Sequence, residues 1–207
     1  MALKIYGVAR SRAFRTLWIA GELGLDYEHI KLDFADGGTR RPDYLAINPN
    51  GHVPAIDDDG FRLWESMAIN LYLAKKYGSG AGGLYPHSLE DEARAWQWSF
   101  WGMTEIERPA LTALMNRVGP EERRDAAAAG QAEQALAAPL KVLDATVAAT
   151  PYLLGDQFTV ADLNVAAILA WARQARVGLA PFPRAEVWLK RCHDRPAAQT
   201  ARQLQRA

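Results

Sequence analysis

In 3-LKIYGVARSRAFRTLWIAGELGLDYEHIKLDF-34 the hydrophobic period changes twice. "LKIYG" is short and β-prone. "AFRTLWIAGELG" carries Phe14, Leu17, Trp18 and Leu23 at helical spacing and stops at Gly24, whereas "EHIKLDF" puts Ile30, Leu32 and Phe34 on one face. The stretch reads β-α-β. Downstream, "VPAIDDDGFRLWE" gives two short strands around an Asp-Gly turn, and "SMAINLYLAKKYG" gives a helix that opens at Ser66 and closes before Gly78. Residues 1–78 are therefore expected to form a β-α-β, β-β-α domain.

The chain changes character at 78-GSGAGG-83, where four glycines fall within six residues. A phosphate cradle would follow a strand and end in Gly-Lys-Ser/Thr. This run follows a helix and lacks that ending, so 79–86 reads as a linker. From 87 to 207 the pattern is helical throughout. "LEDEARAWQWSFWGMTEIERPALTALMNR" is apolar on two sides: Trp96, Phe100 and Met103 form one stripe, and Trp98 and Trp101 lie well round the helix from it. A further helix is expected from about Glu121 to Ala149, interrupted or bent at Pro139. In "158-FTVADLNVAAILAWA-172", Thr159 and Asp162 have capping-box spacing, with Phe158 and Leu163 placed as a hydrophobic staple.

Composition limits the chemistry. Lys+Arg and Asp+Glu both number 24, so no net positive field draws the chain to nucleic acid or anionic lipid. No run reaches the roughly 18 apolar residues of a membrane span, and the expected location is cytoplasmic. A single cysteine, Cys192, allows no intrachain disulfide and no C-x-x-C pair, and reads as a small hydrophobe in a late helix. His29, His52, His87 and His193 are scattered, so no metal site is expected. The partners expected are small molecules.

Four features occur in order: "YGVARSRAFR" after the first strand, "48-NPNGHVPAI-56", "64-WESMAINLYL-73" and the "FTVADL" cap. On these the chain resembles a cytosolic glutathione S-transferase of the serine-type (theta, phi or zeta-like) classes over essentially its full length. The resemblance implies an α/β plus all-α fold, a thioredoxin-like N-terminal domain followed by an all-helical C-terminal domain. It also implies glutathione as co-substrate, an electrophilic small-molecule partner and a homodimer.

Site roles follow from the same resemblance. A cis bond before Pro54 would turn the Val53 backbone outward, so that the cysteinyl unit of glutathione adds to it by two main-chain hydrogen bonds. Ser66, at a helix start, would bind the γ-glutamyl carboxylate, with Glu65 helping to hold the cationic end. The alternative is that Ser66 is only an N-cap and Glu65 a solvated charge. His52 is either exposed or a donor to the glycyl end, which Arg40 or Arg41 could also reach. Ser11 lies four residues before Arg15, the spacing at which serine-type transferases place the hydroxyl that donates to the sulfur; the alternative is a simple helix cap. Arg15 reads as an internal ion-pair partner. Tyr6 resembles the tyrosine of other classes but stands early relative to Arg15. Arg10, Phe14, Trp98, Trp101 and Glu105 are candidates for the electrophile pocket. Beside conjugation stand peroxide reduction, isomerisation or dehalogenation on the same thiolate, and a non-catalytic scaffold of the same fold.

Overall fold

The structure, a computed structural model, describes residues 3–80 and 83–205. Ala81 and Gly82 of the expected linker lie outside the described residues. The chain divides into two compact units, one comprising residues 1–85 with 194–207 and the other residues 86–193.

The first unit is built on β1 (Leu3–Tyr6), α1 (Ala13–Glu22), β2 (Tyr27–Ile30), α2 (Pro42–Leu45), β3 (Ala55–Asp58), β4 (Phe61–Trp64) and α3 (Ser66–Tyr77). The sheet order is β2-β1-β3-β4, with β1 parallel to β2 and the other pairs antiparallel. Ile5, Ile56, Leu17, Trp18, Ile19, Ile69 and Leu73 are fully buried between sheet and helices. α1 is buried at every position from Ala13 to Ala20, a helix covered on all sides rather than on one stripe. Its polar members find partners on α3: Thr16 Oγ1 donates to Asn70 Oδ1 at 3.3 Å, and Asn70 Nδ2 donates to the Arg15 carbonyl at 3.4 Å.

Two expectations differ from what is seen. β2 ends at Ile30, and Phe34 is 64% exposed rather than on a common buried face with Ile30 and Leu32. Backbone pairing continues past the strand through Gly7 N–H to the Ile30 carbonyl and Val8 N–H to the Leu32 carbonyl, so the chain there follows the first loop instead of the sheet. The tail also leaves the helical domain expected for 87–207. Helix α9 (Pro196–Gln203) packs on α1, where Ala197 meets Gly21 so closely that an added Cβ would lie 3.2 Å from the alanine Cβ. Arg195 forks onto Glu22 with two 2.7 Å hydrogen bonds, a bidentate pair that fixes the helix start. The helix docks with small residues, so its face is periodic but carries little hydrophobic bulk to mark where it packs.

Asp58, at the end of β3, is buried and accepts from Tyr72 Oη at 2.8 Å, Lys76 Nζ at 2.7 Å and Tyr77 Oη at 2.9 Å. Burial pushes its carboxyl up, but the hydrogen bonds from Lys76, Tyr72 and Tyr77 outweigh burial and hold it below the usual carboxylate range. The folded protein thus binds this proton less tightly than the unfolded chain. The stabilisation is present above about pH 4 and is lost as pH falls through the folded value. Asp58→Asn is expected to cost about 3 kcal/mol in urea unfolding at pH 7, with the difference from wild type shrinking below about pH 4. A pH-independent difference would assign the loss to packing instead.

The second unit contains α4 (Leu89–Trp101), α5 (Glu107–Val118), α6 (Ala126–Thr146), α7 (Val160–Gln174) and α8 (Pro183–His193). α7 is its centre, buried from Val160 to Ala172. The segment read as one long helix from residue 89 is split by a π-helical turn at Gly102–Ile106. Pro109 supplies the reason: its missing N–H cannot bond back one α-turn, and its ring would crowd the carbonyl there. Gly102 fits because a Cβ would lie 2.8 Å from Ile168 Cδ1. α6 is shorter than expected, since Asp125 caps it by accepting from the Ala127 and Ala128 amides at 2.8 and 3.0 Å. Pro139 lies buried inside it. The capping box at Thr159 and Asp162 is present, with Phe158 and Leu163 buried beside it. Cys192 is buried in α8. No helix among the described residues is long and apolar enough to cross a membrane.

Candidate active site

Strand register assembles the site. Tyr6 stands opposite Ala55, and Ala55 opposite Trp64, so the last residue of β1, the first of β3 and the last of β4 form one row across the sheet. The segments attached to that row are the 7–12 loop, Val53-Pro54 and Glu65-Ser66. All three therefore emerge at the same end of the sheet. Gly7, at φ +126°, lets them close up: a Cβ there would lie 2.8 Å from Val53 Cβ and 2.9 Å from Ala13 Cβ. Arg15 makes the other tie, its Nη1 donating to Ser66 Oγ at 3.2 Å.

The Val53-Pro54 peptide is cis. Among the described residues, neither the amide nor the carbonyl of Val53 has a hydrogen-bond partner, which leaves a donor and an acceptor ahead of β3 for an extended ligand backbone. The preceding residue is held rigidly. The His52 carbonyl accepts from Tyr44 Oη at 2.5 Å and Asn48 Nδ2 at 2.6 Å, while Asn48 Oδ1 accepts from the Asn50 amide at 3.1 Å. Burial pushes the Tyr44 phenol up to about 12, so it remains a donor at physiological pH. Nothing in the sequence singles out these braces beyond "NPN" as a turn signal, although asparagine commonly bonds local backbone. The His52 ring is exposed.

The two arginine candidates separate. Arg41 is turned onto Asp43 in a forked surface pair of 3.2 and 2.8 Å. Arg40 Nη1 instead donates to the Asn50 carbonyl at 3.3 Å, which leaves its guanidinium over the 48–51 turn beside His52.

Ser66 is 3% exposed and is the first residue of α3, not its cap. The cap position belongs to Glu65, whose side chain makes no capping bond and whose backbone is held at φ 73°. A non-glycine residue in that region costs about 1–3 kcal/mol and persists only where its surroundings impose it. Here the conformation starts α3 with unbonded amides beside a buried hydroxyl that the Arg15 guanidinium already polarises. The whole favours an anion. Arg15 is 1% exposed. The sequence suggested an internal ion pair; the bond the geometry shows is the one to Ser66, 51 residues away, which no local pattern announces.

Ser11 is half-buried in the turn before α1. Its hydroxyl donates to the Val8 carbonyl at 2.7 Å and accepts from the Ala13 amide at 3.1 Å. The Val8 carbonyl also receives the Ser11 amide at 3.0 Å. The hydroxyl proton can therefore rotate to another acceptor without stranding that carbonyl, while the Ala13 amide keeps Oγ in place and makes the hydroxyl a better donor. The cap position of α1 belongs to Arg12, which makes no side-chain capping bond, so Ser11 stands one residue ahead of the cap and holds the turn through the Ala13 amide, an arrangement compatible with donation. The Tyr6 ring lies 5.8 Å from that of Tyr44. Burial first, then the nearby Asp57 charge, raises its pKa.

The pocket candidates scatter. Arg10 is exposed and paired with Asp33. Phe14 is 4% exposed with its ring 5.8 Å from Trp18, which makes it a core residue of the first unit rather than a pocket wall. In the second unit Trp98 is buried, edge-on to Trp101 at 4.8 Å; Trp101 is half-buried and Glu105 exposed on the π-helical turn. Of the two apolar sides of α4, that of Trp98 is buried, whereas Trp96 and Phe100 are 43% and 65% exposed.

Family models match both parts of the chain: "Glutathione S-transferase, N-terminal domain" over residues 1–75 and "Glutathione S-transferase, C-terminal domain" over residues 106–196. Glutathione S-transferase 3 of Zea mays is 36% identical over 207 residues, covering 95% of this chain and 91% of that protein. Disulfide-bond oxidoreductase YfcG of Escherichia coli (strain K12) is 36% identical over 191 residues, covering 87% of this chain and 85% of that one. Among solved structures, the theta class glutathione S-transferase of Xanthomonas axonopodis pv. citri with glutathione bound superposes with a TM-score of 0.87 at 33% identity, covering 96% of each chain.

Proposed function

Because the chain belongs to the glutathione S-transferase family and is a glutathione transferase, we propose that Ser11 activates the thiol of a glutathione held by Val53 and Ser66 for attack on small apolar electrophiles. The observation that carries this reading is the row Tyr6–Ala55–Trp64, which gathers an adaptable hydroxyl, an unpaired backbone edge and a helix-start anion site at one end of one sheet. The cysteinyl backbone pairs with Val53, which fixes the peptide and leaves its sulfur free. The γ-glutamyl carboxylate takes the α3 amides and the Ser66 hydroxyl, and Glu65 faces its ammonium group. His52 and Arg40 serve the glycyl carboxylate. Arg41, committed to Asp43, does not.

A thiol of pKa near 8.5 is mostly protonated at pH 7, and lowering it two units takes about 2.7 kcal/mol of preference for the thiolate. Ser11, with the Ala13 amide behind it, supplies part of that preference. Trp101 and Glu105 are the remaining candidates for contact with the electrophile. Retention on immobilised glutathione tests the binding, and turnover against aryl halides, epoxides, peroxides and isothiocyanates tests the chemistry. A folded protein that passes through the resin and turns over none of the panel would favour the scaffold reading.

A second reading rests on the name of the E. coli relative. Glutathione thiolate can attack a disulfide sulfur, forming a mixed disulfide and releasing the other thiolate, without any protein cysteine. That suits a chain whose one cysteine is buried in α8. Glutathione-dependent reduction of a small disulfide, faster than that of the aryl halides, would make this the main activity.

Ser66→Ala is expected to weaken glutathione binding by about 1.5 to 3 kcal/mol, since a hydrogen bond to a charged carboxylate is lost in a buried position. The maximal rate should change less. Unchanged calorimetric affinity in a folded variant would reduce Ser66 to a partner of Arg15. The working form is a cytoplasmic homodimer: Phe61 and Trp64 in the first unit, and Leu89, Trp96 and Phe100 in the second, leave large apolar side chains exposed on the single chain. Sedimentation of a 22.9 kDa species at micromolar concentration would refute the dimer.

A further inference from the structure

The second unit carries an open surface depression of about 790 Å³ where the end of α5, the chain leading into α6 and the end of α7 meet. It is lined by Arg117, Arg124, Arg176, Glu133, Gln174 and Val118, among others. Its one carboxylate is already committed. Glu133 Oε1 accepts from the Gly178 amide at 2.7 Å and Oε2 pairs with Arg117, which hold its carboxyl below the usual range. Arg117 in turn donates to the Ala175 and Arg176 carbonyls at 3.0 and 3.4 Å. This pair is therefore structural and electrically neutral.

Among the described residues the other two cations have no carboxylate partner. Arg124 spends only Nε, donating to the neutral Gly119 carbonyl at 2.7 Å, which leaves both terminal nitrogens. Arg176 stands at φ 56°, an unfavourable backbone for a long side chain, and among the described residues its guanidinium has no carboxylate partner. Arg124, Arg176 and Gln174, all exposed, thus line one open surface depression whose volume admits a small molecule. A single carboxylate would leave one charge over. A phosphomonoester carries about −1.5 to −2 at pH 7 and presents three oxygens to forked donors.

The geometry points to an anion site within the second unit, built from residues other than those proposed to hold glutathione, that takes a phosphomonoester dianion through Arg124 and Arg176. Val118 and Ala175 are the main apolar lining, so the rest of the ligand is polar. The test is calorimetric titration of the full chain with inorganic phosphate and with glucose 6-phosphate, chloride holding ionic strength constant. Saturable binding of one ligand per chain is expected. Arg124→Gln and Arg176→Asn should each weaken it at least about fivefold while leaving glutathione affinity unchanged. Asparagine suits the left-handed backbone at 176, and thermal melting checks that both variants fold. Tighter binding of the sugar phosphate assigns the remaining space to an organic body; equal binding assigns the site to free phosphate. Absence of saturable binding of either probe up to about 20 mM, or wild-type affinity in both variants, overturns the proposal.

Discussion

Ser11→Ala is expected to cut turnover with glutathione at neutral pH by about tenfold to a thousandfold, the range for losing one well-placed donor, with affinity for glutathione nearly unchanged. The separation follows from geometry. Ser11 contributes a rotatable proton whose present acceptor, the Val8 carbonyl, keeps a second donor when that proton leaves. The peptide is gripped by Val53 and Ser66 instead. Removing the hydroxyl raises the pKa of the bound thiol, so part of the rate returns at higher pH, where the thiol ionises unaided. The Ala13 amide loses its acceptor as well, which costs about 0.5 to 2 kcal/mol of stability. Ser11→Thr keeps a hydroxyl and should recover activity that a pure helix cap would not govern. Titrating the ultraviolet absorbance of the thiolate in wild type and Ser11→Ala decides the matter. Coincident curves would leave Ser11 as a cap and move the thiol donor to a backbone amide or Tyr6.

Local signals and long-range ones fared differently. The β-α-β order was readable because period changes at Gly7 and Gly24 are local, and the capping box because its partners lie three residues apart. The four quoted motifs gave the family for the same reason. The Arg15–Ser66 bond was not readable: the apolar stripe of α1 predicts a helix with Arg15 off the stripe, but nothing local shows that α1 is buried on every side or names a partner 51 residues away. The return of the tail onto α1 was hidden too: the helix PAAQTARQ is periodic, but Ala197, Ala198 and Ala201 dock by being small, and an alanine face does not say which helix it meets. Phe14 misled in the opposite sense. Its position beside the serine loop suggested a ligand contact, whereas packing against Trp18 makes it core. Residues that bond backbone, such as Asn48, were visible as turn formers, but nothing in the sequence named the carbonyl they hold.

Asp162→Ala is expected to destabilise the protein by more than about 4 kcal/mol, a large share of the 5–15 kcal/mol available to a folded chain. The carboxylate is fully buried and accepts from four donors: the Leu153 amide at 2.8 Å, the Thr159 amide at 3.0 Å, the Thr159 hydroxyl at 3.2 Å and Trp188 Nε1 at 2.9 Å. It therefore does more than close a helix end. It joins the start of α7 to the loop at Leu153 and to α8 through Trp188. Alanine would leave two buried amides and an indole without acceptors, at about 1–3 kcal/mol each before relaxation, and would open a cavity at the base of the central helix. Asparagine should fall between. Its oxygen can still accept from Leu153 and Trp188, but its NH₂ would then confront the Thr159 amide, donor against donor. For a chain of this length 4 kcal/mol corresponds to roughly 8–16 °C of melting temperature. Urea unfolding followed by tryptophan fluorescence measures the order wild type, Asp162→Asn, Asp162→Ala. A loss below about 1 kcal/mol for alanine would mean that water or a neighbouring group can replace the carboxylate, and that α7 is centred by packing alone.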